Sequence, residues 1–172
     1  MTLSQLSMPA GGLVALVGVA GSGKSTFAAG HFPASAVLSS DAFRSLVAGD
    51  PADQTATDEA FSILHQVLDM RLARGLLTVV DATNVQPWAR GKLVEIARRR
   101  RRPAAAIVLD LPLRLCLERN ATRTTGRLPA AAIRRQYRSL RDSVSDLEAE
   151  GFDPVHRLTE AATADRVRLE FC

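Results

Sequence analysis

The amino-acid sequence predicts an α/β fold, in which a central parallel sheet is flanked by helices. Short apolar runs, such as Leu13–Val17, alternate along the chain with segments whose apolar residues recur at helical spacing. The first of these runs is followed directly by a glycine-rich segment and then by the start of a helix. This order is typical of parallel sheets, whose strands are joined through crossover helices.

The individual elements follow from this alternation and from the positions of Gly and Pro. Strands are expected at Leu13–Val17, 34–39, 76–81, 104–110, Val155–Leu158 and 167–171. Helices are expected from residue 27 and over residues 42–47, 57–74, 87–101, 112–119 and 130–150. Residues 1–12 are interpreted as an irregular lead-in, and residues 13–172 as a single domain, as the length of 172 residues favours.

Composition limits the class of protein. The net charge of +4 permits a polyanionic partner, and nearly all of the positive charge is arginine. No apolar run approaches the ~20 residues that a membrane-spanning helix needs, and no basic segment precedes an apolar one at the N-terminus. Two cysteines are too few for a disulfide framework. We therefore expect a cytoplasmic protein without membrane association.

The segment from Gly18 to Ser25 fits the pattern G-x-x-x-x-G-K-[ST], the P-loop that binds nucleotide phosphates. Its glycines let backbone N–H groups turn towards a triphosphate, and the helix that follows adds the positive end of its dipole. Lys24 supplies a charge for the β- and γ-phosphates, and the Ser25 hydroxyl can bind Mg²⁺. A glycine-rich turn without a ligand is the alternative. The expected nucleotide contacts within this segment are Gly21, Ser22, Gly23, Lys24, Ser25 and Thr26.

Asp41 directly follows the second predicted strand and should project from the carboxyl edge of the sheet, where ligands bind in such folds. A carboxylate at this edge can accept the proton of a hydroxyl that faces the γ-phosphate. Arg44, one helical turn later, could bind an anionic group of the acceptor. Alternatively, Asp41 is a helix N-cap and Arg44 is its ion-pair partner.

Three further groups of charged residues complete the candidate site. Asp81 ends an apolar strand as a Mg²⁺-orienting acid does, although it is also compatible with a plain strand end. Arg119 and Arg123 precede a polar turn and suit a lid that clamps phosphates, or else a solvated helix face. The same two interpretations apply to the basic face of the next helix, formed by Arg134, Arg135, Arg138 and Arg141.

Taken together, these segments resemble the 5′-hydroxyl polynucleotide kinase domain of bacterial polynucleotide kinase–phosphatase proteins, which belong to the P-loop phosphotransferases. The resemblance extends over most of the chain, from about residue 13 to residue 155. It corresponds to the kinase part of those proteins, which phosphatase and adenylyltransferase modules follow. The matching segments are residues 18–27, 37–41 with Arg44, 53–55, 76–85, 116–120 with Arg123, and 151–152.

The resemblance implies a P-loop NTPase fold with an arginine-bearing helical lid, and a role for each matching residue. Lys24 and Ser25 would bind phosphates and Mg²⁺; Asp81, from its place at the strand end, is the second expected metal-site residue. Asp41 would be the general base towards the 5′-hydroxyl, and Arg44 would bind a neighbouring phosphate of the acceptor. Arg119 and Arg123 would be the lid arginines, and Gln54 would lie near the acceptor strand.

The expected activity is transfer of the γ-phosphate of ATP, or of another nucleoside triphosphate, to the 5′-hydroxyl of single-stranded RNA or DNA, as in nucleic-acid repair. Two alternatives remain open at this point. The acceptor could be a small metabolite such as a sugar or nucleoside. The chain could instead be a switch that hydrolyses nucleotide without an acceptor, although such a switch has no need of an acid at position 41.

Overall fold

The computed structural model describes residues 5–172, and residues 1–4 of the expected lead-in lie outside them. Seven strands and eight α-helices alternate through this part of the chain. In chain order they are β1 (Gln5–Met8), β2 (Leu13–Val17), α1 (Lys24–His31), β3 (Val37–Ser39), α2 (Ser40–Ala48), α3 (Thr57–Ala73), β4 (Thr78–Asp81), α4 (Pro87–Arg99), β5 (Ala104–Leu109), α5 (Leu113–Ala121), α6 (Ala130–Ser143), α7 (Leu147–Glu150), β6 (Val155–Leu158), α8 (Ala161–Ala164) and β7 (Arg168–Phe171).

The central sheet has five parallel strands in the order β3-β4-β2-β5-β6. Helices cover both of its faces, so the fold class is the one that the sequence predicts. Strand β2 lies in the middle, and the chain crosses from β4 on one side of it to β5 on the other. In open α/β sheets the carboxyl ends of the strands next to such a crossing form the ligand-binding crevice.

Burial on both faces explains why the central strands are continuous apolar runs. Alternate residues of β2 point to opposite sides of the sheet. Leu13, Ala15 and Val17 belong to a core that includes residues of α3, α4 and α6. Val14 and Leu16 belong to a second core formed with Phe27 of α1 and with residues near the C-terminus. Strands β2, β4 and β5 are buried at every position.

The prediction of an irregular lead-in at residues 1–12 is wrong for residues 5–8. These residues form β1, which pairs in parallel with β7 in a small second sheet. Met8 is buried in the core, and His156 bonds to the carbonyl oxygen of Ser7 at 2.9 Å. The partner strand lies at the other end of the chain, so local sequence gives little indication of this pairing.

Two other predicted elements differ from the structure. The expected strand at 34–39 begins with a 3₁₀ turn, Ala34–Ala36, and only Val37–Ser39 are extended. The expected helix at 130–150 is interrupted by a second 3₁₀ turn, Val144–Asp146. At this interruption Ser143 is buried and accepts a hydrogen bond from Arg90 at 3.0 Å, a tertiary contact that helix periodicity does not reveal.

The arginine run 98–102 contributes to packing between helices. Arg99 and Arg100 both bond to Asp69 of α3 at 2.9 Å. The Arg102 guanidinium donates to the carbonyl oxygen of Leu72, which lies in the last turn of the same helix, at 3.1 Å. Cations in this position also complement a helix dipole. None of the helices in residues 5–172 is long and apolar enough to cross a membrane.

Candidate active site

The segment Gly18–Ser25, called the phosphate loop below, connects β2 to α1 at the carboxyl edge of the sheet. The Gly18 N–H donates to the Thr83 carbonyl oxygen at 2.9 Å, which attaches the loop to the segment after β4. Gly21 and Gly23 have positive φ angles of 82° and 94°. A Cβ atom on Gly21 would also collide with the backbone carbonyl of Cys116. Glycine is therefore required here for both conformation and space.

Helix α1 begins without a side-chain cap. Gly23 occupies the N-cap position, no side chain accepts from the first N–H groups, and the first turn holds no acidic residue. Such a helix start offers backbone donors and the positive end of the helix dipole to an anion. The phosphate loop is therefore built to receive phosphate groups.

Lys24 is the first residue of α1, and its side chain folds back along the loop. Its Nζ donates to the Val19 carbonyl oxygen at 2.9 Å and lies 3.5 Å from the Ser22 hydroxyl oxygen. Burial lowers the pKa of Lys24 to about 8, the Asp81 carboxylate opposes that shift, and the Arg123 charge adds to it. The ammonium group is thus largely desolvated before any ligand arrives.

Ser25 and Asp81 form a pair that fits a magnesium site. The Ser25 hydroxyl donates to Asp81 Oδ2 at 2.7 Å, and Asp81 is buried at the end of β4. Mg²⁺ is commonly bound by one or two protein oxygens together with phosphate oxygens and water. No cluster of three or more His, Cys, Asp or Glu residues within 5–172 could hold a metal ion. Mg²⁺ at this pair would therefore also need ligand oxygens from phosphate and water.

Asp41 lies in the first turn of α2, and its partner is Arg44. The N-cap of this helix is Ser39, whose hydroxyl accepts from the Ala42 N–H at 3.4 Å. Arg44 is buried, and its Nη1 contacts Asp41 Oδ1 at 2.6 Å while its Nε donates to the Thr57 hydroxyl at 3.2 Å. The alternative interpretation of Asp41 is therefore correct in one part only. Asp41 forms the ion pair with Arg44, but it does not cap α2. The Asp41 side chain remains 55% exposed.

A cavity of about 320 Å³ lies on one side of the phosphate loop. We call it the Asp41 cavity. It brings together groups that are far apart in the sequence: the loop, the start of α2, the ends of β3 and β4, the start of α4, and the lid. Its polar and aromatic lining includes Lys24, Ser25, Asp41, Arg44, Gln54, Asp81, Thr83, Asn84, Gln86, Trp88, Arg123 and Gln136.

A second cavity, of about 400 Å³, lies on the other side of the same glycines. We call it the Arg119 cavity. Its lining combines residues of α1, the end of β5, α5 and the α8 region, namely Gly21, Ser22, Gly23, Thr26, Phe27, Gly30, His31, Leu109, Leu111, Arg119, Arg123, Ala161, Ala164 and Asp165. Arg123 and Thr26 line both cavities, whereas Asp41 lines only the first of these two and Arg119 only the second.

The lid consists of α5, the loop of residues 122–129, and α6. The Asn120 amide closes the base of this lid loop, since it donates to the Leu128 carbonyl oxygen at 2.8 Å and accepts from the Leu128 N–H at 3.0 Å. Neither Arg119 nor Arg123 forms an ion pair with a carboxylate of residues 5–172. Their charges are therefore available to an anion.

A buried arginine, Arg90, fixes the segment that follows β4. Arg90 is fully buried and contacts both carboxylate oxygens of Glu150 at 2.6 Å. It also donates to the Asn84 carbonyl oxygen at 3.0 Å. Asn84 has a positive φ of 49° and donates from its side chain to Leu16 of β2 at 2.7 Å. These contacts connect the segment after β4 to both the sheet and α7.

Several residues of the Asp41 cavity were not predicted from the sequence, and two of them, Gln136 and Trp88, bear on its chemistry. Gln136 of α6 accepts a hydrogen bond from the Ala20 N–H of the phosphate loop at 2.9 Å. Trp88, the only tryptophan of the chain, lines the cavity and is 78% exposed. A lone tryptophan directly after Pro87 at a helix start could have signalled the second residue. Nothing in the sequence singles out Gln136 among the polar residues of its helix.

Residues 13–145 match the family described as AAA domain. The chain belongs to this family. The five-stranded parallel sheet flanked by helices is consistent with a P-loop NTPase fold, which implies nucleotide binding. No curated protein sequence matches the chain.

Several solved structures share the fold. The chain is similar to part of a chain in the Pnkp1/Rnl/Hen1 RNA repair complex, with 21% identity over 81% of this chain and a TM-score of 0.68. The match spans 47%, about half, of that longer chain. A gluconokinase from Sinorhizobium meliloti 1021 is 23% identical, with coverage of 93% and 89% of the two chains and a TM-score of 0.57.

A third neighbour was solved with a nucleotide analogue. Kti12 from Chaetomium thermophilum, in complex with ADP-AlF3, is 17% identical, with coverage of 90% and 94% of the two chains and a TM-score of 0.63. At these identities the similarities demonstrate the fold alone. The predicted resemblance is therefore supported at the level of a P-loop kinase domain, and the neighbours include both an RNA repair complex and a gluconokinase.

Proposed function

We propose that this protein is a 5′-hydroxyl polynucleotide kinase, which transfers the terminal phosphate of ATP or another nucleoside triphosphate to the 5′ end of single-stranded RNA or DNA. The observation that carries the proposal is that Asp41 and Lys24 line the same cavity. Arg123 lines this cavity as well as the Arg119 cavity. A general base and a phosphate-binding site at one rim are what phosphoryl transfer to a hydroxyl needs.

The donor nucleotide would lie across the phosphate loop. Backbone N–H groups of the loop and of α1 bind its phosphates, and the Lys24 ammonium supplies a positive charge to the β- and γ-phosphates. The Arg119 cavity is large enough for the nucleoside, and its Arg119 guanidinium lies beside Gly23, where an added Cβ would be 3.3 Å from Nη1. This arrangement leaves the terminal phosphate directed towards the Asp41 cavity.

Asp41 acts on the acceptor. It accepts the proton of the 5′-hydroxyl as the new O–P bond forms. The bond between the γ-phosphorus and the oxygen that bridges it to the β-phosphate breaks, which releases the nucleoside diphosphate. Arg44 orients the carboxylate through the 2.6 Å contact and is itself fixed by Thr57. Lys24 and Arg123 stabilise the charge that spreads over the transferring group. Ser25 and Asp81 would hold Mg²⁺, which would supply neutralisation of charge on the phosphate oxygens.

Features of the Asp41 cavity support a nucleic-acid acceptor. Trp88 offers an exposed aromatic ring at the rim, and bases of single strands stack on such rings. Outside the cavity, Arg134, Arg135 and Arg138 are exposed on α6 and form no ion pair within residues 5–172, so this helix of the lid has a cationic face. The polynucleotide kinase hypothesis uses both features, and a role in RNA or DNA repair follows from it.

A small metabolite is the second candidate acceptor. The observation that favours it is the size of the Asp41 cavity, about 320 Å³, which falls in the range of pockets for small ligands. The similarity to a gluconokinase over nearly the whole chain is compatible with a sugar or a sugar acid. The same base, lysine and lid arginines would serve either acceptor.

The test of the proposed chemistry is the variant Asp41→Asn. Since the amide cannot accept the proton, we expect transfer to fall by about 10²–10⁴-fold, with nucleotide affinity unchanged. Asp58→Asn is the matched control, because Asp58 is an exposed carboxylate of the next helix outside both cavities. Transfer by Asp41→Asn at the wild-type rate would show that the general-base assignment is wrong.

An acceptor panel separates the two candidates. Phosphate transfer from γ-labelled ATP to a 5′-hydroxyl oligonucleotide is measured in competition with sugars, sugar acids and nucleosides. For a polynucleotide acceptor, we expect Trp88→Ala to raise the KM for the oligonucleotide about tenfold, as loss of one base stack does. Met70→Ala, which removes another exposed apolar side chain outside both cavities, is the control. If a sugar is labelled in preference to the oligonucleotide, the acceptor is a small metabolite and not a polynucleotide.

A further inference from the structure

Gln136 connects the lid side of the site to the phosphate loop. It lies in the second turn of α6, is half-buried, and lines the Asp41 cavity. Its Oε1 accepts the Ala20 N–H at 2.9 Å. The backbone donor of Ala20 is thereby used within the protein, and a phosphate that approaches this point of the loop meets the glutamine amide instead.

The hydrogen bond determines which atom of the amide contacts the loop. A backbone N–H can only donate, so the atom that it contacts must be the amide oxygen. The Nε2 group, with two N–H donors, forms no hydrogen bond to residues 5–172. A polar group of this kind at the wall of a phosphate site is a donor available to a ligand oxygen.

The neighbouring contacts indicate which ligand oxygen this is. Val19, the residue before Ala20, accepts the Lys24 Nζ at 2.9 Å, so the Lys24 charge and the Gln136 amide meet consecutive residues of the loop. Arg123, which also lines the cavity, is close enough to lower the pKa of Lys24. The Gln136 amide therefore meets the loop next to these cations, on the Asp41 side, where the terminal phosphate would lie rather than the nucleoside.

Just after Gln136, helix α6 is attached by side-chain contacts to neighbouring elements, in contrast to the lid loop. Its Ser139 hydroxyl accepts from the Gln86 amide at 3.0 Å, and its Ser143 hydroxyl accepts from Arg90 at 3.0 Å. Arg141 pairs with Asp110 at the end of β5, also at 3.0 Å. The Gln136 donor is therefore held in place before substrate binds, which is the condition under which a donor stabilises developing charge most effectively.

We propose that Gln136 binds the terminal phosphate of the nucleoside triphosphate through its Nε2 amide group. It thereby makes the site favour a triphosphate over the diphosphate product. The inference rests on the proposed nucleotide site, but not on the identity of the acceptor. It assigns to α6 a role in nucleotide recognition that is separate from the lid arginines.

The test compares the affinity for two nucleotides by calorimetry, in the presence of Mg²⁺. The ligands are ADP and a non-hydrolysable ATP analogue with an imido bridge between the β- and γ-phosphates. For Gln136→Ala we expect about tenfold weaker binding of the analogue, as for loss of a hydrogen bond to a charged group, and less than twofold change for ADP. Gln136→Glu retains the acceptor for Ala20 N–H but places a carboxylate near the phosphate, so the analogue should bind about 100-fold more weakly.

Ser139→Ala is the matched control, because it also removes a side-chain contact of α6 while Ser139 lines neither cavity, and its ratio of the two affinities should equal that of the wild type. Equal losses for ADP and the analogue in both Gln136 variants would show a purely structural role and overturn the proposal, as would an unchanged ratio. A wild-type protein that binds neither nucleotide would overturn the nucleotide site itself. A wild type that binds both nucleotides but phosphorylates no acceptor would refute the kinase proposal while leaving the Gln136 result valid.

Discussion

The phosphate loop and the lid loop both combine glycine at positive φ with cationic side chains, yet their surroundings differ. Gly21 packs against the Cys116 backbone, and Lys24 is buried with its ammonium bonded to Val19. In the lid loop, no atom lies within 4 Å of the Cβ position of Gly126, and Arg123 and Arg127 are exposed. The geometry of the phosphate loop is complete in the protein alone, whereas the lid arginines have contacts to gain from a ligand.

The largest expected effect is that of removing the charge of the phosphate loop. We expect Lys24→Met to reduce transfer on the order of 10³-fold, because Lys24 is the buried cation at the phosphates. Lys92→Met is the control, since Lys92 is the only other lysine and forms an exposed pair with Glu95. The midpoint of thermal unfolding should be unchanged or higher, because burial of the ammonium disfavours its charged form. Activity near that of the wild type would contradict the phosphate-loop assignment.

The lid arginines should differ from one another by their position. Arg123 lines both cavities, whereas Arg127, four residues later, lines neither of them. We expect Arg123→Ala to lower kcat about 10²–10³-fold, as for loss of one charge-stabilising donor, and Arg127→Ala to change it less than about threefold. Steady-state kinetics with saturating nucleotide measure both. Equal effects of the two substitutions would mean that the lid acts through its net charge rather than through one guanidinium.

Alanine at the two glycines compares the loops in stability. Gly21→Ala adds backbone strain and a collision with Cys116, and should lower the free energy of unfolding by about 2–5 kcal/mol. Gly126→Ala adds only the strain of a positive φ, about 1 kcal/mol. Thermal or denaturant unfolding of both variants gives the difference. A loss at Gly126 as large as that at Gly21 would show that the lid loop is as closely packed as the phosphate loop.

The smallest expected effect is a pH dependence of nucleotide binding. The pKa of Lys24 is about 8 in the free protein, and bound phosphates raise it because they favour the charged ammonium. The complex therefore binds more protons than the free protein, so affinity is constant below pH 8 and falls above it. We expect binding of the ATP analogue to be about tenfold weaker at pH 9 than at pH 7. Calorimetry at the two pH values tests this, and Lys24→Met should abolish the dependence.

The fold was largely predictable because its strands are buried on both faces. Continuous apolar runs located β2, β4 and β5 to within two residues, and Pro87 and Gly75 located helix boundaries. The prediction failed where partners lie far away in the sequence. Strand β1 exists because it pairs with β7, and α6 ends early because Ser143 is engaged by Arg90.

For the candidate site, the sequence by itself determined the phosphate loop. The function of this loop depends on its backbone conformation, which the local sequence dictates. It also located Asp41 and Asp81, because both lie at or next to the carboxyl ends of strands of one sheet and so reach the same edge. At α2 the structure decided between local alternatives, since Ser39 caps the helix and Asp41 pairs with Arg44. Only the tertiary structure placed Gln136 against Ala20 and Trp88 at the rim. These side chains come from different helices, and their approach depends on packing that no local pattern records.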